Sequence, residues 1–384
     1  MTDTQKGVLT IIKSAIDECA YPLPEGFSID EAYDFIIRHR IMMLAYDGAV
    51  RCGISKNEPA MQKLFKFYIN GMVKSEKQLE EIKKIYTVFE ENGIDYLPLK
   101  GCNMKHLYPK PELRAMGDAD ILIREEQYPK IKELLEEKGY EGEDEAGHHY
   151  EWRKGDFLAE IHIMPFSKGF EKFYNYYGNG WNKAGKTETF RYEYSVEDEF
   201  IFEIAHLAKH YLYSGVGCRH MTDVLVYLKA FPDMDFSYIE GELSKMGMQR
   251  FYRNLIKTVD HWFHDGEADE AVELVSEYIL KSGNWGDFET ASLAKGLREK
   301  KNQKGSKEGS FIRTVFPSAR ELGNKYKILK KAPVLLPFFW VIRWLEVLFL
   351  RRDKLKKKMD YYNFIDDGKI ESHQRNLQKS GFDF

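Results

Sequence analysis

The sequence lacks the features that define several common classes of protein. It has only 4 cysteines in 384 residues, without a Cys-x-x-Cys pair, which argues against a zinc knuckle, a redox dithiol or a disulfide framework. Lysine plus arginine (57) nearly balances aspartate plus glutamate (61), so no net charge of one sign would attract nucleic acid. Residues 1–23 lack the uninterrupted apolar core and small-residue cleavage site of a signal peptide. These absences predict a cytoplasmic protein.

Long apolar runs are also scarce, with one exception at residues 332–350. Its length approaches the roughly 20 residues of a membrane span, but it is interrupted by Pro333, Pro337, Arg343 and Glu346. A basic run, RRDKLKKK, follows it. Two interpretations stay open: a surface helix in peripheral contact with the inner membrane through residues 332–358, or a helix packed on the protein's own core with a solvated basic tail.

What is present is ordinary globular composition, with 43% hydrophobic and 31% charged residues. The chain exceeds the roughly 100–200 residues of one domain, and its hydrophobic periodicity divides it into four regions. Residues 1–93 have helical spacing, with Ser28 as a plausible N-cap and Gly93 as a stop. We expect an α/β core with an aromatic loop at 94–195, a helical domain at 196–300, and a linker with a basic-flanked helical segment at 301–384.

Short alternating segments predict a small mixed sheet in the second region. The first two are IDYLPLKG and DADILI, and the last two, HHYEWR and FLAEIHIM, flank the turn Lys154-Gly155-Asp156. Helical segments lie before and between these strands. The fold class is therefore α/β (α+β), with helices before the sheet and a helical domain after it. Residues 166–195 are expected to form a long aromatic loop.

Three carboxylates in these strands point to a metal site. Strand side chains repeat every two residues, so Asp118 and Asp120 share one face of DADILI. Glu160 and His162 share one face of FLAEIHIM, and Glu160 would complete the site if the two strands are neighbours. Carboxylates brought together need a cation, and hard oxygen ligands suit Mg²⁺ or Mn²⁺.

Such a site fits nucleotidyl transfer, because metals can clamp a triphosphate and activate an incoming hydroxyl. Gly101 would let the backbone approach a phosphate at a probable helix start, with Lys100 as a point charge beside it. Arg114 could offer a bidentate fork to phosphate. These residues are candidate nucleotide and phosphate contacts.

The same residues resemble a family of uncharacterised bacterial nucleotidyltransferase-like proteins in the polymerase-β superfamily. The resemblance covers roughly residues 30–330 and rests on Lys100-Gly101, the run from Arg114 through Gly117 to Asp120, and Glu160-Ile161-His162. It extends to HLAKH at His206 to His210 and to Asp223. The superfamily usually has a Gly-Ser or Gly-Gly pair and often a third aspartate, where this chain has Lys100-Gly101 and Glu160. The resemblance implies an enzyme that uses a metal ion and a nucleoside triphosphate.

Two further groups have both a functional and a structural interpretation. His206 and His210 share a helical face, and with Arg219 and Asp223 they could form a polar wall against the nucleotide or a buried network between helices. The aromatic loop could stack a base or pack against itself; its residues are Phe170, Phe173, Tyr174, Tyr176, Tyr177 and Trp181. His162 could steer a phosphate or be a packed strand histidine.

The sequence therefore predicts a metal-dependent nucleotidyltransferase that transfers a nucleoside monophosphate to a hydroxyl acceptor. The balanced charge favours a small molecule or protein over long nucleic acid as the acceptor. Two alternatives remain: a sugar-nucleotide glycosyltransferase, which would use Asp-x-Asp for a diphosphate, and a non-catalytic adaptor that binds nucleotide or docks on a membrane.

Overall fold

The structure is a computed structural model that describes residues 1–143, 147–284, 286, 288–301, 316–323, 326–330, 332–350, 360–361 and 364–383. The chain forms two compact units, one of Met1–Gly286 with Gln378–Phe384 and one of Asp287–Leu377. Most of the predicted linker and the basic run after residue 350 lie outside the described residues.

Four helices precede the sheet, as their apolar spacing predicts: α1 (Asp3–Asp17), α2 (Ile29–Arg38), α3 (Met42–Arg51) and α4 (Pro59–Glu91). The hydroxyl of Ser28 accepts a hydrogen bond from the Glu31 amide, which confirms the predicted N-cap of α2. Proline at the first position of α4 lacks only an amide that would be unpaired there.

The described residues include a five-stranded mixed sheet with the order β1-β2-β5-β4-β3. Its strands are β1 (Tyr96–Pro98), β2 (Ala119–Ile123), β3 (Glu141–Glu143), β4 (His149–Lys154) and β5 (Phe157–His162). β2 and β5 are parallel, and the other pairs are antiparallel. Between the strands lie the short α5 (Gly101–Met104) and α6 (Tyr128–Glu137). The mixed α/β fold class is confirmed.

One face of the sheet is apolar and packs against helices. Ile121 of β2 and Ile161 of β5 are fully buried in a cluster with Ile85 and Phe89 of α4 and Leu135 of α6. These strand residues alternate with the polar residues predicted to share the opposite face. Burial of the apolar face, at about 25 cal/mol per Å², therefore fixes which face presents the carboxylates.

The prediction of a loop over residues 166–195 was wrong in part. The segment contains α7 (Glu171–Tyr177) and a two-stranded sheet of β6 (Gly185–Lys186) and β7 (Tyr192–Glu193). Phe173 and Tyr177 are buried; Phe173 stacks on Phe166, and the tilted ring of Tyr177 also contacts Phe166. The spacing of four residues between these two aromatics is typical of a helix, and the prediction of a loop did not take it into account.

Helices complete both units, as predicted for the second half of the chain. The first unit has α8 (Val196–Tyr213), α9 (Cys218–Ala230), α10 (Phe236–Lys245), α11 (Gln249–Phe263) and α12 (Glu270–Ser282). The second unit includes α13 (Phe288–Lys301), α14 (Ala319–Leu322), α15 (Leu336–Leu350) and most of α16 (Asp367–Lys379). None of the helices in the described part of the chain combines the length and the apolar character that spanning a bilayer requires.

Candidate active site

The centre of the candidate site is set by the register of two neighbouring strands. In the parallel pair of β2 and β5, Asp120 lies opposite Glu160, and Leu122 lies opposite His162. Side chains opposite each other on one sheet face are within contact distance. The pairing therefore brings together two carboxylates that are 40 residues apart in the sequence, on the face opposite the apolar core.

Lys100 supplies the positive charge beside these carboxylates. Its ammonium Nζ lies 2.6 Å from Asp120 Oδ1, and both side chains are largely buried. The backbone of Lys100 has φ +48° and ψ −118°, a sparsely populated conformation for a residue with a Cβ. Burial lowers its pKa, but the charges of Asp120 and Asp118 outweigh burial and raise it. The ion pair therefore keeps both partners charged.

His162 joins the two carboxylates. Its Nε2 lies 2.9 Å from Asp120 Oδ1 and 3.2 Å from Glu160 Oε2. Although burial raises the pKa of Asp120, Lys100 and His162 hold it below its usual range. Burial likewise acts to raise the pKa of Glu160, but the hydrogen bond from His162 opposes burial, and the pKa lies below its usual value. One ligand atom from each of Asp120, Glu160 and His162 lies within 4.8 Å of the others.

Asp118 lies at the edge of this group, just before β2. Burial and the negative charge of Asp120 raise the pKa of Asp118 to about 6, while the charges of Lys100 and Arg219 oppose that rise. Gly117 beside it is exposed, and an added Cβ would meet no atom within 4 Å. The loop is fixed one residue earlier, where Gln78 of α4 donates to the Met116 carbonyl at 3.0 Å.

Arg114 bonds to Asp223 on α9. Its Nε and Nη2 donate to the two carboxylate oxygens at 2.8 and 3.1 Å, and Tyr108 donates to the same carboxylate at 2.7 Å. The same guanidinium leaves no room for a side chain at Gly101, because a Cβ there would lie 2.7 Å from Arg114 Nη1. Packing against Arg114 therefore explains the glycine at the start of the four-residue helix α5. Both Arg114 and Asp223 are predicted nucleotide contacts that the structure places in a buried pair.

The predicted histidine wall lies on α8. His206 and His210 are in contact through their Nε2 atoms at 3.2 Å, and burial lowers the pKa of His210 to about 2. His206 also lines a small pocket with Glu203, His220 and Asp223, among other residues. Arg219 donates to Asn284 Oδ1 at 3.0 Å and approaches the Ala115 carbonyl. These contacts form a partly buried polar network.

Sequence reasoning did not assign a role to four residues near this site: Lys209, Glu203, His148 and His149. Burial and the charge of Lys100 lower the pKa of Lys209 to about 8, although the carboxylates of the site oppose that effect. Burial raises the pKa of Glu203 to about 8. Lys209 belongs to the HLAKH run, and its spacing of three from His206, which places both on one helical face, could have drawn attention to it.

The sequence motif and a family match together define the class of this protein as a nucleotidyltransferase. A family model for uncharacterised nucleotidyltransferases matches residues 25–264. The match spans more than half of the chain, so the protein belongs to this family and is a transferase. The resemblance in the sequence motifs is thus confirmed.

The solution structure of the antibiotic-resistance factor ANT(2'')-Ia is similar over 50% of this chain and 99% of that chain, with 11% sequence identity and a TM-score of 0.32. No curated protein matches the sequence significantly.

Proposed function

We propose that this nucleotidyltransferase transfers a nucleoside monophosphate from a nucleoside triphosphate to a hydroxyl acceptor, with release of pyrophosphate. We further propose that Asp118, Asp120 and Glu160 hold Mg²⁺ or Mn²⁺ for this reaction. The observation that carries the proposal is the parallel register that pairs Asp120 with Glu160 on the polar face of the sheet.

The donor set fits a hard divalent cation. Asp120 and Glu160 lie opposite each other on neighbouring strands, and burial together with the negative charges of both raises the pKa of Asp118, just before β2. Oxygen donors of this kind suit Mg²⁺ and Mn²⁺. When bound, such a cation supplies charge stabilisation to phosphoryl oxygens and makes a hydroxyl more acidic.

The surrounding positive charges support nucleotide binding at the same place. The positive charges of Lys100 and Arg219 both act to lower the pKa of Asp118. The negative charges of Asp120, Glu160 and Asp118 act to raise the pKa of Lys209. In our proposal, Lys100 and Arg219 contact the phosphates beside the exposed Gly117. In the same proposal His206 and His210 orient the nucleotide directly, and His162 acts on it through the two carboxylates that it contacts.

Arg114, Gly101 and Asp223 have a positioning role in this scheme. The guanidinium of Arg114 already makes two charge-assisted hydrogen bonds to Asp223, which hold the loop that leads into Asp118. For the acceptor, we favour a small molecule or a protein side chain, because the balanced charge of 57 basic and 61 acidic residues provides no overall attraction to long nucleic acid.

Calorimetric titration of the full chain with ATP, GTP, CTP and UTP, each with Mg²⁺ or Mn²⁺, tests the proposal. We expect metal-dependent binding of at least one triphosphate, with pyrophosphate release once an acceptor is supplied. The double variant Asp118→Asn/Asp120→Asn should lose metal-dependent binding. The matched control is Asp156→Asn, the same substitution in the exposed β4–β5 turn, which should bind as the wild type does.

Two results would contradict the proposal. One is binding of no triphosphate by protein whose circular dichroism shows it to be folded. The other is undiminished metal-dependent binding by the double variant.

A further inference from the structure

We propose that His148, His149 and His162 bind one divalent transition-metal ion of the zinc class, in a site that adjoins the proposed magnesium ligands through the contacts of His162 and His149 with Glu160. Each histidine offers one ring nitrogen, and these three atoms lie within 4.8 Å of one another. The ring centroids are 4.6, 5.1 and 5.5 Å apart. Tetrahedral zinc needs nitrogens about 3.3 Å apart at Zn–N distances of about 2.0–2.1 Å, which small side-chain rotations would reach.

The backbone holds the three histidines together without a metal. His149 of β4 lies directly opposite His162 of β5 in the antiparallel register. His148 precedes β4, and its carbonyl accepts a hydrogen bond from the Ile163 amide at 3.0 Å. Because strand pairing fixes these positions, little conformational entropy is lost when the side chains close on an ion.

The hydrogen bonds of His162 leave one nitrogen available as a ligand. Its Nε2 faces Asp120 and Glu160 at 2.9 and 3.2 Å, and ionised carboxylates only accept, so Nε2 carries the hydrogen. A metal ion would bind the lone pair of Nδ1 in place of any proton there. Within the described part of the chain, this buried Nδ1 has no hydrogen-bond partner.

His149 offers a second nitrogen without a partner. Its Nε2 lies 3.8 Å from Glu160 Oε1, which is too far for a hydrogen bond, and its Nδ1 is buried without a hydrogen-bond partner among the described residues. A buried polar atom without a partner costs free energy, and a metal ion bound to this nitrogen would remove that cost. Histidine ligands of zinc commonly donate their other ring N–H to a carboxylate.

The ligand types separate this site from the proposed magnesium site. Neutral imidazole nitrogens suit zinc, copper or nickel, whereas carboxylate oxygens suit magnesium. An ion on the three histidines would fix the ring of His162 and, through its hydrogen bonds, the carboxylates of Asp120 and Glu160. The histidine site would thus position the proposed catalytic carboxylates, but its existence does not depend on nucleotidyl transfer.

The test is zinc uptake by the full chain, without nucleotide and with millimolar Mg²⁺ present to occupy oxygen ligands. We expect the chelator-treated wild type to take up one Zn²⁺ in a calorimetric titration. His148→Phe keeps an aromatic ring in contact with the other two rings but removes both nitrogens, and it should weaken zinc binding at least tenfold. His106→Gln removes an exposed histidine and is the matched control. Asp118→Asn should retain zinc uptake.

The outcomes are distinguishable from those for the proposed function. No zinc uptake by the folded wild type would overturn this proposal, as would equal uptake by wild type and His148→Phe. Uptake lost in Asp118→Asn but retained in His148→Phe would place zinc on the carboxylates and would also overturn it. If His148→Phe does not fold, X-ray absorption of the zinc-loaded wild type decides the matter: scattering from about three imidazoles supports the site, and oxygen ligands alone contradict it.

Discussion

Replacing Glu203 by glutamine should change how the stability of the protein depends on pH. Oε1 of Glu203 is buried and has no hydrogen-bond partner among the described residues. Burial raises the pKa of this carboxyl from an ordinary value of 4.5 to about 8, against the opposing charge of Arg114. Glutamine has nearly the same shape and is neutral at every pH, so it mimics the protonated form.

The sign follows from proton linkage. In the unfolded chain Glu203 loses its proton as the pH passes 4.5, whereas in the folded chain it keeps the proton until about pH 8. Between these values folding takes up a proton, so the stability contributed by this group falls as the pH rises. Each pKa unit corresponds to about 1.36 kcal/mol. Relative to wild type, Glu203→Gln should therefore gain on the order of 3–5 kcal/mol between pH 5 and pH 9.

Urea unfolding of both proteins at five pH values from 5 to 9, followed by circular dichroism, measures this difference. The two proteins should be nearly equal at pH 5, and the variant should become progressively more stable than wild type above it. Nearby histidines and lysines titrate in both proteins, so their contributions largely cancel. Glu188→Gln, the same substitution at an exposed position, should show no such trend. A stability difference that stays constant from pH 5 to pH 9 would refute the assignment of a buried, protonated Glu203.

Three further changes test other parts of the structure. Arg114→Met leaves the buried carboxylate of Asp223 without its guanidinium partner and should lower the unfolding free energy by about 3–5 kcal/mol. Adding Asp223→Leu should recover much of this loss. Purely additive losses in the double variant would contradict the pairing. Lys100→Met removes the ammonium beside Asp120, so millimolar Mg²⁺ should raise the melting temperature more in this variant than in wild type, and an equal rise would argue against a shared position. For residues 332–358 we propose peripheral contact with anionic lipid, because Phe338 and Val341 of α15 are 65% and 50% exposed. The full chain should sediment with anionic vesicles and Phe338→Glu/Val341→Glu should not; equal binding of both, or self-association without lipid, would contradict this.

Much of the candidate site could be predicted from local pattern. The alternation of Ile121 and Ile161 with Asp120 and Glu160 gives the two faces of β2 and β5, because strand side chains repeat every two residues. The turn at Gly155 gives the antiparallel pairing of β4 with β5. The parallel pairing of β2 with β5 was only a condition in the sequence argument, since no local pattern states which distant strands become neighbours.

Some assignments depended on burial, which a sequence does not display. Phe173 and Tyr177 were placed in a loop, although their spacing of four fits the short helix whose core face they form. His148 and His149 stood in a strand segment without a role, because their proximity to His162 and the unpartnered Nδ1 of His149 exist only after β4 pairs with β5.

The sequence by itself determined the class of this protein, most of its helical and strand segments, and the types of side chain that the candidate site contains. Periodicity and a short motif are enough for that, because they act over a few residues. Only the tertiary structure decided that Arg114 bonds to Asp223, 109 residues away, that the ammonium of Lys100 contacts Asp120, and that Oε1 of Glu203 is buried with no hydrogen-bond partner in the described part of the chain. These outcomes depend on which surfaces exclude water when distant elements pack, and the charge and hydrogen-bonding state of each group follow from that packing.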